Sequence, residues 1–155
     1  MLAVAKDEGY INYYKQKLEQ GQEYQDFVMD KLHDSIGWSL NCYSSRKYQY
    51  EKGESRTGIE IKFDNLIKKK GNLYIEYAEK SNPNNKNYVP SGIERNDNTI
   101  IYCIGNYEVI YLIAKNWLQQ FKLLKNTRHV TTATSKGYLF SEIDAKKYAI
   151  KIIKC

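Results

Sequence analysis

Two short segments limit what this chain can fold into. Ile59-Glu60-Ile61-Lys62-Phe63-Asp64 and Leu73-Tyr74-Ile75-Glu76-Tyr77-Ala78 both alternate apolar residues with more polar ones. A period of two is the mark of a half-buried strand, with one face on a core and the other turned outward. The charged members are Glu60 and Lys62 in the first segment and Glu76 in the second. Lys68-Lys69-Lys70-Gly71-Asn72 lies between them, and its Gly-Asn step supplies turn chemistry. The spacing predicts an antiparallel hairpin. It would set Glu60 and Glu76 on neighbouring strands and bring Lys62 close to Ala78.

The rest of the chain supplies helices and more strands around that hairpin. Tyr24, Phe27, Val28 and Leu32 recur at helical spacing, predicting a helix over 20–36 that stops at Gly37. Trp38–Tyr43 alternates like a strand, and 44–58 and 81–98 are polar loops. Thr99–Ile104 and Tyr107–Ile113 read as a hairpin turning at Gly105-Asn106. Asn116 caps a helix reaching Leu124, and Tyr138–Phe140 is a short strand. Ser141 and Asp144 approximate a capping box for a last helix running to Ile153. The expected architecture is one α/β domain over residues 1–155, a mixed sheet flanked by helices.

Charge and composition narrow the function. The net charge of +6 favours a polyanionic partner, nucleic acid being the commonest. Apolar runs such as Ile100–Ile104 are too short to span a bilayer. Lys6, Asp7 and Glu8 interrupt any apolar run near Met1, so a cytoplasmic protein that avoids membranes is expected. Cys42, Cys103 and Cys155 lack metal-ligand spacing. His33 and His129 have no nucleophile arranged beside them, which argues against a hydrolytic triad. The run Gly53–Gly58 lacks the phosphate-loop pattern.

Two carboxylates and an ammonium on one sheet face are costly unless they bind something. A divalent cation such as Mg²⁺, with Mn²⁺ as a substitute, would satisfy Glu60 and Glu76 together with waters and a phosphate. The alternative is a solvated face carrying ordinary cross-strand charge pairs.

These two segments resemble the core hairpin of PD-(D/E)XK nucleases, in which an acid on one strand precedes a Glu-x-Lys triplet on the next. The resemblance spans about residues 20–118. It implies a restriction-endonuclease-like fold and Mg²⁺-dependent hydrolysis of DNA, with Glu60 as the first acid and Glu76 as the second. It also implies that Glu23 is the acid of the preceding helix, and it matches Ser91-Gly92-Ile93 to a Ser-Gly-Ile step before the fourth strand. Ala78 stands where the family places lysine, so either Lys62 from the adjacent strand or Lys80 along the same strand would serve. In a second register Glu60-Ile61-Lys62 is itself the Glu-x-Lys triplet, with Glu51 or Glu54 as the first acid and Glu76 left without a role. Gln49, Arg56, Lys69, Ser91 and Arg95 are the expected DNA contacts, and a homodimer would suit a double-strand cut. Rival readings are a non-catalytic DNA-binding protein on the same fold and a protein-interaction or inhibitor module.

Overall fold

The computed structural model describes residues 2–155, with side chains from residue 11 onward. Its elements, in chain order, are α1 (Leu2–Ile36), α2 (Arg46–Lys52), β1 (Ile59–Phe63), α3 (Ile67–Lys70), β2 (Asn72–Glu79) and β3 (Val89–Pro90). They continue as β4 (Ile101–Gly105), β5 (Val109–Ala114), α4 (Lys115–Lys122), β6 (Arg128–Thr131), β7 (Ser135–Ser141), α5 (Glu142–Tyr148) and β8 (Lys151–Lys154). A 3-10 turn, Gly92–Glu94, lies between β3 and β4. The α/β class holds, but there are two sheets rather than one, ordered β1-β4-β5-β8 and β3-β2-β7-β6.

The expected hairpin of 59–64 with 73–78 does not form. β1 pairs in parallel with β4, Glu60 beside Tyr102 and Lys62 beside Ile104, whereas β2 pairs antiparallel with β7. The residues between them build α3 instead of a tight turn. Gly71, at φ 65°, closes that helix by donating its N–H to Ile67. Asp64 pins both ends of the crossover: its carboxylate accepts from the N–H of Leu66 at 3.0 Å and of Tyr74 at 2.9 Å. Alternation identifies a strand with one favoured face, but it carries no information about which strand lies alongside.

The two sheets close over one core. Tyr102, Ile104, Tyr111 and Ile113 of the first meet Leu73, Ile75, Tyr138 and Phe140 of the second, with Leu118 of α4 and Ala145 of α5 sealing the cluster. The opposite face of the first sheet carries Ile59, Ile61, Cys103 and Leu112, and α1 covers it with Tyr24, Val28 and Leu32. Helix, sheet and sheet therefore stack in that order.

Other expectations are met or corrected locally. The expected hairpin of 99–104 with 107–113 forms, with its strands shifted to 101–105 and 109–114 as β4 and β5. α1 begins far ahead of residue 20, because its first half is helical without an apolar stripe, and residues 11–23 are all exposed. It stops at Gly37 (φ 70°), whose N–H and that of Trp38 return to the carbonyls of His33 and Leu32. Trp38–Tyr43 makes only one bridge, Cys42 to Ser55. Ser141 caps α5 by accepting from the N–H of Asp144, but that helix ends at Tyr148 and the last residues form β8 on β5. The β-branched pair Ile152-Ile153 fits a sheet edge better than a helix end. Among the described residues no helix is long and apolar enough to cross a membrane.

Candidate functional site

β1 lies at the edge of its sheet, and the loop before it satisfies that edge with side chains. The Ser55 hydroxyl donates to the carbonyl of Ile59 at 2.7 Å and accepts from its N–H at 3.0 Å. One carboxylate oxygen of Glu54 accepts from the N–H of Ile61 at 3.1 Å, and the other accepts from the Gln25 amide at 2.7 Å. An edge strand tied up in this way cannot pair with another chain, and its charged residues stay fixed in direction.

Parity then decides where Glu60 and Lys62 go. Ile59 and Ile61 point toward α1, so Glu60 and Lys62 point toward the second sheet, on the side of Tyr102 and Ile104. Glu60 is only 4% exposed. Its carboxylate accepts from Lys62 Nζ at 2.7 Å and from the Thr99 hydroxyl at 3.2 Å. The Lys62 side chain is about half exposed, at 48%. From the second sheet Glu76 faces the same space, held by a hydrogen bond from the buried Ser91 hydroxyl at 2.8 Å.

Glu60 thus pairs directly with the Lys62 ammonium, while Glu54 and Glu76 line the same depressions as that lysine without pairing with it. The charge of Glu60, reinforced by Glu54 and Glu76 against the effect of burial, holds Lys62 protonated and pushes it up to about 12. Lys62 stands where three depressions meet. One, of about 340 Å³, runs past Tyr74, Glu76 and Gly92. A second, of about 330 Å³, is rimmed by Arg46, Gln49 and Arg95 above Glu54 and Glu60. The third lies against α1 at Lys17 and Gln20.

No family model, curated protein or solved structure matches this chain. The site is therefore read from its own chemistry. Of the residues singled out in the sequence, Glu60, Lys62, Glu76, Ser91, Gln49 and Arg95 are brought near one another, by a different route from the expected hairpin. Glu23 does not join them. It is exposed on α1, and Gln25, on another side of that helix, makes the contact to Glu54. Lys80 donates to the carbonyl of Asn85 and covers the Tyr88 ring, and Lys69 is exposed on α3. Neither lines the depressions around Lys62. Arg56 lies over the Tyr43 ring in a neighbouring groove.

Gln25, Thr99 and Arg46 were not legible as site residues. Gln25 carried a faint signal, one helical step from Tyr24 and one turn before Met29, at the border of the buried stripe. Arg95 is steered by its loop. Lys115, itself buried, donates to the Arg95 carbonyl at 2.8 Å and pairs with Asp97 at 3.1 Å, which ties residues 95–97 to the start of α4.

Glu54 makes the crowding measurable. Burial, then the charge of Glu60, pushes its carboxyl from the ordinary 4.5 to about 7, against the opposing pull of Lys62, the Ile61 N–H and Gln25. The folded protein therefore holds this proton more tightly than the unfolded chain does. The stability Glu54 contributes is fully present below about pH 4.5 and is lost as pH rises through about 7. Thermal melts of Glu54→Gln over that window are expected to show a flatter pH profile than the parent. Parallel profiles would mean that the carboxyl titrates normally.

Proposed function

We propose that this protein is a divalent-metal-dependent nuclease that hydrolyses phosphodiester bonds of DNA in the cleft floored by Glu60 and Lys62. The observation that carries the reading is the buried Glu60 paired with Lys62, with Glu54 and Glu76 lining the depressions on either side of that lysine and Arg46 and Arg95 on the rim. In this reading Glu60-Ile61-Lys62 acts as the Glu-x-Lys triplet of a restriction-endonuclease-like site. Glu54 is the preceding acid, and Glu76 adds a carboxylate from the second sheet.

The donor set suits a hard cation. Carboxylate oxygens are what Mg²⁺ takes, and Glu54, pushed up by burial first and then by the charge of Glu60, supplies a further one beside Glu60. Among the described residues no three His, Cys, Asp or Glu side chains stand close enough to hold a metal ion as they are. The ammonium of Lys62 lies on Glu60, so an ion would need that half-exposed side chain to turn off the carboxylate and the other two acids to draw in toward it. Glu60, Glu54 and Glu76 would then hold it. Bound there, a divalent ion would supply a lowered pKa for a bound water and polarisation of the phosphate. Lys62, freed from Glu60, donates a hydrogen bond to the attacking water or to the phosphate oxygen that gains charge. Ser91 keeps Glu76 aimed into the cleft, and Arg46 and Arg95 hold the flanking phosphates.

Incubation of plasmid DNA with Mg²⁺ or Mn²⁺ tests this. Cleavage is expected, suppressed by chelator and about 10- to 100-fold slower in Glu76→Ala. Clean parent protein that leaves supercoiled, linear and single-stranded DNA intact would rule out the nuclease. The closed Lys62–Glu60 pair favours a second reading, a non-catalytic DNA-binding protein, in which DNA is retained at low salt but never cut.

A further inference from the structure

The segment 43–56 places more aromatic and basic surface beside the cleft than phosphodiester chemistry requires. α2 contains no buried residue, and its Tyr48 and Tyr50 are 50% and 61% exposed. On one side of α2, Arg46, Gln49 and Tyr50 line the Lys62 cleft. On the other, Tyr43, Tyr48, Lys52 and Arg56 line an open groove of about 800 Å³. The Tyr43 and Tyr48 rings lie 6.0 Å apart, tilted by 49°.

Each of these rings carries a cation. The Arg56 guanidinium sits 5.7 Å from the Tyr43 centroid, Lys52 Nζ 5.1 Å from that of Tyr48, and Arg95 5.1 Å from that of Tyr50. A ring reachable from solvent beside a cation, exposed at Tyr48 and Tyr50 and half-buried at Tyr43, suits an unpaired nucleotide, because the base stacks on the ring while the cation meets the adjoining phosphate. A duplex hides its base faces and would leave the rings unused. The charge agrees: within the segment Arg46, Lys47, Lys52 and Arg56 outnumber Glu51 and Glu54, and Glu54 is committed to Gln25 and Ile61.

We infer that this groove binds an unpaired stretch of nucleic acid, with bases on Tyr43 and Tyr48 and phosphates on Lys52 and Arg56, and leads the strand across α2 to the Lys62 cleft. The direction of travel rests on the nuclease reading, but binding in the groove can be measured without it.

The experiment is fluorescence anisotropy of a labelled oligo-dT and of a duplex of equal length, with chelator present so that nothing is cut. The single strand is expected to bind more tightly. Joint replacement Tyr43→Ala and Tyr48→Ala is expected to weaken it about tenfold or more, whereas the corresponding Phe pair keeps the affinity. Lys52→Ala with Arg56→Ala is expected to flatten the slope of log affinity against log salt by about 1.4. Melting curves of the Ala and Phe pairs exclude a folding defect. Equal affinity for duplex, an Ala pair that binds like the parent, or displacement of the strand by poly-glutamate would overturn the inference. Parent protein that binds the strand tightly but never cuts with Mg²⁺ sinks the nuclease and keeps the groove. Cleavage that persists with the Tyr pair irrelevant to binding does the reverse.

Discussion

Lys62→Ala is expected to slow cleavage of plasmid DNA in Mg²⁺ by about 10²- to 10³-fold while changing DNA affinity little. Lys62 is the ammonium paired with Glu60, at 2.7 Å, and that charge secures its protonation. A methyl group at that position can neither donate to the attacking water nor offset charge on the phosphate. Lys62→Arg restores charge but not shape, because a planar fork cannot take the place of a compact ammonium, so it should recover only a fraction of the rate. The same Ala substitution leaves the carboxylate of Glu60 buried, with only Thr99 bonded to it. Half exposure of Lys62 limits the resulting loss of stability to about 1–3 kcal/mol at neutral pH, below that for a fully buried pair. Single-turnover rates and melts read the two effects separately. A variant that cuts as fast as its parent would remove Lys62 from the chemistry.

The second large effect is structural and lies at Gly92. Its φ of +49° belongs to the left-handed region, and a Cβ there would overlap the carbonyl group of Glu76. The turn is held down by Ser91, whose N–H donates to Tyr77 and whose hydroxyl donates to Glu76, and by Ile93, which is only 1% exposed within the intersheet core. No flexible side chain is available to yield, because the obstacle is the β2 backbone. Gly92→Ala is expected to destabilise the fold by about 3 kcal/mol or more. Urea titration followed by far-UV circular dichroism measures it. In whatever folded fraction remains, Glu76 would lose its alignment, so cleavage should fall further than the folded population does. A variant of parental stability would mean that the turn can rearrange freely.

The chemistry of the site was more legible than its assembly. Glu60 and Lys62 could be read because a two-residue step on a strand puts both on one face wherever the strand lies. Ser91 and Gly92 were singled out only through the resemblance, which matched Ser91-Gly92-Ile93 to a Ser-Gly-Ile step; the residues by themselves read as loop. Local grammar located the 101–114 hairpin and the Ser141 cap, both of which depend on residues within a few positions of one another.

What local grammar left open was partnership. Alternation in 59–64 and 73–78 defined two strands and their inward faces, but pairing is a contest among all available edges. That contest was settled by distant apolar surfaces: Tyr102 and Ile104 beside β1, Tyr138 and Phe140 beside β2. Only the closure of two sheets over one core brought Glu76 to face Lys62, and only the packing of α1 turned Gln25 rather than Glu23 toward Glu54. Residue types and their spacing determine which groups can do chemistry, because those depend on covalent structure and backbone period. Their meeting in one cleft was decided by burial summed over the whole chain, a long-range quantity that no short window contains.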